Sequence, residues 1–189
     1  MKKFELTSET KINIFGKKLF RIKALVSFGV VKTGETGGWV EKEENVNQSG
    51  DAWVFGNAEV FGNARVFGNA RVFGNARVSG NARVSGNAEV FGNAEVFGDA
   101  RVFGNAEVSG NAEVFGNADY TTIHGFGTQF RTTTFFRCKD KQVKVSCGCF
   151  YGTIPEFREQ VKNTRDGKIA EEYLMIADLM EKHFAEEAK

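Results

Sequence analysis

The sequence is poor in the residues that most often form catalytic or metal sites. Its 189 residues include two histidines, three cysteines and one proline. The cysteines are Cys138, Cys147 and Cys149, an odd number that argues against a disulfide framework. Their positions also lack the paired spacing typical of structural zinc sites. We therefore expect reduced thiols and no bound metal.

Long hydrophobic runs and a strong net charge are missing as well. No stretch approaches the roughly 18 apolar residues that a transmembrane helix requires, and the first residues lack the apolar region of a secretory signal. These absences predict a cytoplasmic protein that does not contact a membrane. The formal net charge is +1, which gives no reason to expect binding to duplex nucleic acid.

Glycine is abundant, and its spacing is the strongest signal in the sequence. It recurs every six residues from Gly50 to Gly116, within the unit Val, Phe or Ser, Gly, Asn or Asp, Ala, Arg or Glu. Because six is a multiple of the two-residue period of a strand, Ala and Val lie on one side. The charged and Phe or Ser positions lie on the other. The Gly-Asn pair forms turns at low cost, so the repeat predicts short strands joined by corners.

A chain that turns every six residues around small Ala and branched Val side chains folds into a three-sided prism. Three hexads form one coil of 18 residues, and residues 50–119 contain twelve hexads. The sequence therefore predicts four coils, stacked about 4.8 Å apart. The hexads, of which residues 54–59 are an example, resemble those of hexapeptide-repeat proteins. This resemblance implies a left-handed parallel β-helix.

A narrower resemblance extends over most of the chain. Residues 21–25, 37–45 and 146–154, followed by a helical tail, look like parts of uncharacterised phage and prophage proteins with the same central repeat. The resemblance implies an origin in a mobile element, and a location in the cytoplasm of an infected or lysogenic bacterial host. It implies no established chemistry.

The flanks of the repeat predict caps on an all-β solenoid. The predicted regions are an N-terminal β cap (1–49), the repeat β-helix (50–121), a β-hairpin region (122–152) and a helical tail (153–189). Strand-like alternation predicts hairpins within residues 3–33 and 132–149. Thr153, Pro155 and Glu156 fit a helix capping box. Asp166 and Gly167 separate that helix from a second, amphipathic one.

Hexapeptide-repeat folds are best known in acyltransferases and γ-class carbonic anhydrases, and both activities require histidine. The anhydrase zinc site takes three histidines, whereas this chain has His124 and His183. An acyltransferase uses a histidine as general base. His124 follows the last hexad, but no loop leaves a coil to form an acceptor pocket. We therefore predict a non-catalytic protein without a cofactor, with an acyltransferase as an alternative.

Outward side chains 18 residues apart form three columns. The columns are Trp53, Arg71, Glu89 and Glu107; Glu59, Arg77, Glu95 and Glu113; and Arg65, Arg83, Arg101 and Asp119. Stacked guanidinium groups repel one another, so the third column predicts a negatively charged partner. Beside the columns, phenylalanine occupies eight of eleven outward positions. A row of exposed phenylalanines predicts an interface.

These features leave two competing hypotheses. In the first, Arg65, Arg83 and Arg101, together with Phe67 and Phe103, sequester an anionic nucleotide-like ligand or a host protein at an oligomer interface. In the second, the protein is a purely structural homo-oligomer, with a trimer favoured, in which the acidic column of one subunit meets the basic column of the next. The residues predicted for that interface are Phe61, Phe97, Phe115, Glu59, Glu95 and Glu113.

Overall fold

A computed structural model describes residues 2–185 of the chain. Its centre is a parallel β-solenoid of about four coils, which confirms the fold class predicted from the repeat. Eleven two-residue strands form its walls: β4 (Trp53–Val54), β5 (Glu59–Val60), β6 (Arg65–Val66), β7 (Arg71–Val72), β8 (Arg77–Val78), β9 (Arg83–Val84), β10 (Glu89–Val90), β11 (Glu95–Val96), β12 (Arg101–Val102), β13 (Glu107–Val108) and β14 (Glu113–Val114).

The register of these strands follows the 18-residue period. Val66 lies opposite Val84, and Val84 lies opposite Val102, in parallel pairs. The Val and Ala side chains of the repeat from Ala52 to Val114 are fully buried inside the prism. At the corners Gly62 has φ +69°, and a Cβ there would lie 3.2 Å from the carbonyl oxygen of Gly80. Glycine is therefore required where one coil passes directly over the next.

Asparagine side chains link successive coils at the corners. The side-chain amide of Asn69 donates to Asn87 Oδ1 at 3.1 Å, and that of Asn87 donates to Asn105 Oδ1 at 3.0 Å. Equivalent hydrogen bonds join Asn75 to Asn93 at another corner. The asparagine that follows each glycine thus stabilises the stack as well as the turn.

The backbone hydrogen bonds between coils that involve residues outside the two-residue strands have the same direction. The Trp53 N–H donates to the Ala70 carbonyl at 3.1 Å, and the Arg71 N–H donates to the Ala88 carbonyl at 2.9 Å. The first coil is therefore left with carbonyl groups that need donors, and the last coil with N–H groups that need acceptors. The two ends of the solenoid require opposite kinds of cap.

The N-terminal cap supplies donors. It consists of β1 (Phe4–Ile12), β2 (Lys18–Ala24) and β3 (Thr36–Val40). The ammonium of Lys3 donates to the carbonyls of Gly50 and Ala52 at 3.1 and 2.8 Å. The side-chain amide of Asn45 donates to the Ala64 carbonyl at 2.9 Å, and Arg21 donates to the Gly56 carbonyl at 2.8 Å. The exposed carbonyl edge of the first coil is thereby satisfied.

The hairpins predicted within residues 3–33 are found in part. β1 and β2 form an antiparallel hairpin, but Phe28 and Val31 form an isolated bridge rather than a second one. β3 pairs in parallel with β5, with Trp39 opposite Glu59. Parallel stacking therefore starts before residue 50, where the sequence places the first hexad. The predicted domain boundaries themselves stay predictions.

The C-terminal region supplies acceptors. The Glu107 N–H donates to Thr134 Oγ1 at 3.0 Å, and the Arg101 N–H donates to Asn117 Oδ1 at 2.9 Å. The carboxylate of Asp119 accepts from the N–H groups of Phe115 and Gly116 at 3.0 and 2.8 Å. These side chains replace the carbonyls of a further coil, so the solenoid ends here.

Beyond the last coil, the chain forms a module with a core of its own. Its elements are β15 (Tyr120–Phe126), β16 (Arg131–Arg137), β17 (Val143–Cys147), β18 (Phe150–Thr153), α1 (Ile154–Thr164) and α2 (Gly167–Phe184). The four strands form an antiparallel sheet, and the two helices pack on it. The predicted hairpin, the capping box at Thr153 and the two-helix tail are confirmed. Neither helix has the length and apolar composition needed to cross a membrane.

Candidate anion-binding face

We call the outward surface of β6, β9 and β12 the arginine face. Arg65 lies opposite Arg83, and Arg83 lies opposite Arg101, in the parallel pairs of these strands. All three side chains are exposed, and the valine that follows each of them is buried. The alternation of the strand thus directs three cations outward in one line, as the 18-residue period predicts.

The other two faces pair their arginines with acids on the next coil. Arg71 Nη2 lies 2.5 Å from Glu89 Oε1, and Arg77 makes an ion pair with Glu95. Within residues 2–185, none of the arginines of the arginine face forms an ion pair at up to 4.0 Å. Like charges directly opposite one another destabilise a sheet, and no ion pair within residues 2–185 compensates the charge of these three arginines.

Two adjoining cavities lie along the arginine face, with volumes of about 460 and 450 Å³. They share three lining residues, Glu44, Arg65 and Arg83. Both are open to solvent, so a ligand of several charged groups has direct access. The first cavity is further lined by Glu43, Val46, Asn47, Gln48, Val66 and Phe67, and the second by Lys42, Asn63, Ala64, Asn81, Asp99 and Arg101.

The polar residues around the cavities are partly committed to other contacts. Glu43 pairs with Lys2 at 2.8 Å and accepts from Gln48 at 3.0 Å. Asp99 Oδ1 accepts a hydrogen bond from the Asn81 side-chain amide at 3.0 Å. The side chains of the three arginines make no hydrogen bond or ion pair with another described residue, so they are free to bind a ligand. Glu44 is the acid that lines both cavities.

The acids predicted to meet the arginines of a neighbouring subunit are largely neutralised inside the chain. Glu59 pairs with Lys11 at 2.7 Å, and Glu95 pairs with Arg77 and with Lys139. Burial alone would raise the pKa of Glu95, but hydrogen bonds from Lys139 and Arg77 lower it below its usual value. Two of the three acids predicted for the interface therefore have little free negative charge to offer a neighbour, whereas Glu113 forms no ion pair at up to 4.0 Å within residues 2–185.

The outward phenylalanines are less exposed than the sequence suggests. Phe61, predicted to lie at an oligomer interface, is buried in a cluster with Leu19 and Trp39. The N-terminal hairpin covers this side of the first coil, so Phe61 has little surface left for an interface, and its place there stays a prediction. Phe103 and Phe115 are exposed, at 61% and 62%. Phe97 is half-buried and meets Phe115 edge to face at 5.3 Å.

The histidine and cysteine candidates do not come together. His124 is exposed on β15, and its Nδ1 lies 3.4 Å from Thr132 Oγ1. Cys138 is buried, which raises the pKa of its thiol to about 11, whereas Cys147 is half-buried and Cys149 exposed. Among the described side chains, no three His, Cys, Asp or Glu residues converge as a metal site requires.

Sequence reasoning missed the residues that the N-terminal cap contributes to the two cavities. Lys42 and Glu44 precede the first hexad, where the six-residue pattern is absent. A signal was nevertheless available, because Asn45 lies 18 residues before Asn63. Extending the period backwards from the repeat places Lys42 and Glu44 beside the first coil.

Comparison with known proteins supports the β-solenoid repeat and identifies no function for the arginine face. Residues 64–80, 70–86 and 76–92 each match the YdcK Beta solenoid repeat. Successive matches start six residues apart, which is the period of the glycines. The likeness therefore covers part of the solenoid and supports a repeat β-helix protein. No curated protein matches the chain.

Proposed function

We propose that the protein is a non-catalytic binding protein that holds a phosphate-bearing anion on its arginine face. One observation carries this proposal. The arginines of the other faces are paired with acids on the next coil, whereas Arg65, Arg83 and Arg101 have no acid partner in the described part of the chain. A guanidinium binds phosphate through charge-assisted hydrogen bonds, and several in one line favour a ligand with more than one negative charge.

A small ligand explains the uncompensated charge better than a neighbouring subunit does. Two of the three acids predicted to face the arginines across a trimer seam, Glu59 and Glu95, already pair with lysine or arginine of their own chain. Bringing the arginine face against them would displace these partners. A soluble anion can bind the arginines without breaking these ion pairs.

The resemblance to phage and prophage hexapeptide-repeat proteins supports a more specific form of the proposal. In a bacterial host, a stable scaffold without catalytic groups is suited to sequestering a nucleotide-like molecule rather than converting it. A homo-oligomer, with a trimer favoured, is the second candidate. The exposed rings of Phe103 and Phe115 favour it, because exposed aromatic side chains are enriched at interfaces.

Calorimetric titration with inorganic pyrophosphate tests the proposal. Arg83→Ala removes the central arginine of the face, and we expect about ten-fold weaker binding or more, because a lost charge-assisted hydrogen bond costs about 1.5–3 kcal/mol. Arg71→Ala is the matched control, since this exposed arginine lies on another face and pairs with Glu89. Its affinity for pyrophosphate should equal that of the wild type.

Two results would contradict the proposal. One is a wild-type protein that gives no binding heat with pyrophosphate. The other is equal loss of affinity in Arg83→Ala and Arg71→Ala, which would indicate a general effect of charge. If sedimentation of the same samples shows that Arg83→Ala dissociates an oligomer while Arg71→Ala does not, the arginine face is a subunit seam instead.

A further inference from the structure

The outward phenylalanines form columns in which each coil contributes one ring. In the column beside β7 and β10, Phe73 and Phe91 stack with ring centroids 4.8 Å apart and an interplanar angle of 1°. This separation equals the distance between hydrogen-bonded strands, so the coils themselves hold successive rings at stacking distance. A column that omits one ring therefore leaves a gap as thick as a single aromatic ring.

Serine replaces phenylalanine at three outward positions, and two of the resulting gaps are covered by the chain itself. Above Ser79, Phe15 from the turn between β1 and β2 packs 5.5 Å from Phe61 and leaves a small cavity of about 180 Å³. Ser109 is 3% exposed, because the C-terminal module covers the last coil and Tyr151 approaches Gly110 there.

The third gap, at Ser85, is different. Ser85 lies on the arginine face, one coil above Phe67 and one coil below Phe103. The two rings are therefore separated by about twice the coil spacing, and no ring from residues 2–185 stacks between them. Phe103 is 61% exposed, and Phe67 lines the cavity of about 460 Å³ together with Arg65 and Arg83.

The open gap and the unpaired charge occur on the same strand. Arg83 and Ser85 are two residues apart, so their side chains point to the same side of the backbone. A group stacked above Ser85 has its edge beside the guanidinium of Arg83. Phe103 meets Tyr120 edge to face at 6.5 Å, but neither Phe67 nor Phe103 has a parallel stacking partner among the described rings. Such rings favour planar ligands, and stacking of a nucleobase on an aromatic side chain weakens by one to two orders of magnitude when that side chain is removed.

We infer that the gap at Ser85 receives the aromatic ring of the ligand, between Phe67 and Phe103, while its phosphates bind the arginines. The ligand class is then an aromatic phosphate such as a nucleotide, and a phosphate without a ring is a poorer ligand. This inference rests on the proposed function and adds the position of the ring and the reason for the selectivity.

Filling the gap tests this inference. Ser85→Phe completes the column with the residue that occupies most equivalent positions. Ser79→Phe makes the same change on the face where the neighbouring Arg77 is paired with Glu95. Calorimetry of each protein with ADP and with inorganic pyrophosphate gives two dissociation constants. We expect the wild type and Ser79→Phe to bind ADP at least ten-fold more tightly than pyrophosphate. Ser85→Phe should lose this preference and retain pyrophosphate binding.

The outcomes separate the two proposals. If the wild type binds ADP and pyrophosphate equally, or if Ser85→Phe keeps the preference for ADP, the inference is overturned and the anion-binding function stands. If neither ADP nor pyrophosphate binds the wild type, the result contradicts both the anion-binding function and the inference about Ser85. Phe103→Leu provides a second variant. Because this ring is 61% exposed, its replacement removes no buried side chain from the core. It should reduce the preference for ADP about ten-fold and leave the pyrophosphate affinity unchanged.

Discussion

Single side chains complete the hydrogen bonding that a stack of coils leaves unfinished at its ends. Lys3 is the clearest case. The residue is 4% exposed, and its ammonium donates hydrogen bonds to two carbonyls of the first coil. Its ammonium also lies over the ring of Phe28, with Nζ 4.7 Å from the ring centroid. Burial lowers the pKa of Lys3 to about 8, against the smaller opposing effect of Asp51.

The lowered pKa of Lys3 predicts how its contribution to stability varies with pH. Between about pH 8 and the pKa of an unfolded lysine, about 10.4, the unfolded chain binds more protons than the folded chain. The free energy of unfolding therefore rises with pH across this window. Lys3→Met should be destabilised by about 1–3 kcal/mol through the lost hydrogen bonds, and by more at about pH 10 than at about pH 7.

Denaturant unfolding at both pH values measures this effect. Lys2→Met is the control, since the Lys2 side chain is 61% exposed; its difference from the wild type should not grow between the two values. A penalty for Lys3→Met that shrinks as the pH rises would contradict the assignment of Lys3 as a buried cap.

At the scale of the elements, the outward columns explain why hexads of nearly identical sequence differ. Phenylalanine is used where its ring stacks on the next coil, as in Phe73 and Phe91. Serine is used where another part of the chain covers the column, or in our proposal where a ligand takes the place of the ring. Ser109 must be small because the C-terminal module lies over it.

This difference predicts opposite effects of the same substitution at two positions. Ser79→Phe fills the cavity of about 180 Å³ between Phe61 and Phe97, and we expect it to stabilise the protein by about 0.5–2 kcal/mol. Ser109→Phe forces a ring beneath a packed sheet, and we expect destabilisation by about 1–3 kcal/mol. Thermal and denaturant unfolding of the two variants would show this contrast. Equal effects of Ser79→Phe and Ser109→Phe on stability would mean that packing along the phenylalanine columns does not determine whether a hexad carries Phe or Ser.

At the scale of the whole molecule, periodicity determined what could be predicted from the sequence. The six-residue pattern predicts the strands, the corners and the alignment of Arg65, Arg83 and Arg101, because each is a local property repeated without interruption. The caps carry no such period. β15 and β18 pair with the neighbouring strand in hairpins that no repeated pattern marks. The covering of Phe61 by the N-terminal hairpin depends on contacts between residues far apart in sequence, which no local pattern encodes.

The same limit applies to the candidate site. The sequence predicts the arginine column, but the pairing of Glu59 and Glu95 involves Lys11 and Lys139, which come from the two caps. These contacts are what distinguish a face with free charge from a face with satisfied charge. The central claim that follows is that the arginine column is retained for binding at a cost in stability.

Thermal unfolding of the wild type and Arg83→Gln, each with and without inorganic pyrophosphate, tests this claim most directly. Without the anion, Arg83→Gln should melt about 1–3 °C higher than the wild type, because it relieves repulsion from Arg65 and Arg101. With saturating pyrophosphate the order should reverse, since binding stabilises the wild type more. If Arg83→Gln melts lower without pyrophosphate, and pyrophosphate shifts both proteins equally, the arginine column contributes to stability and does not bind the anion.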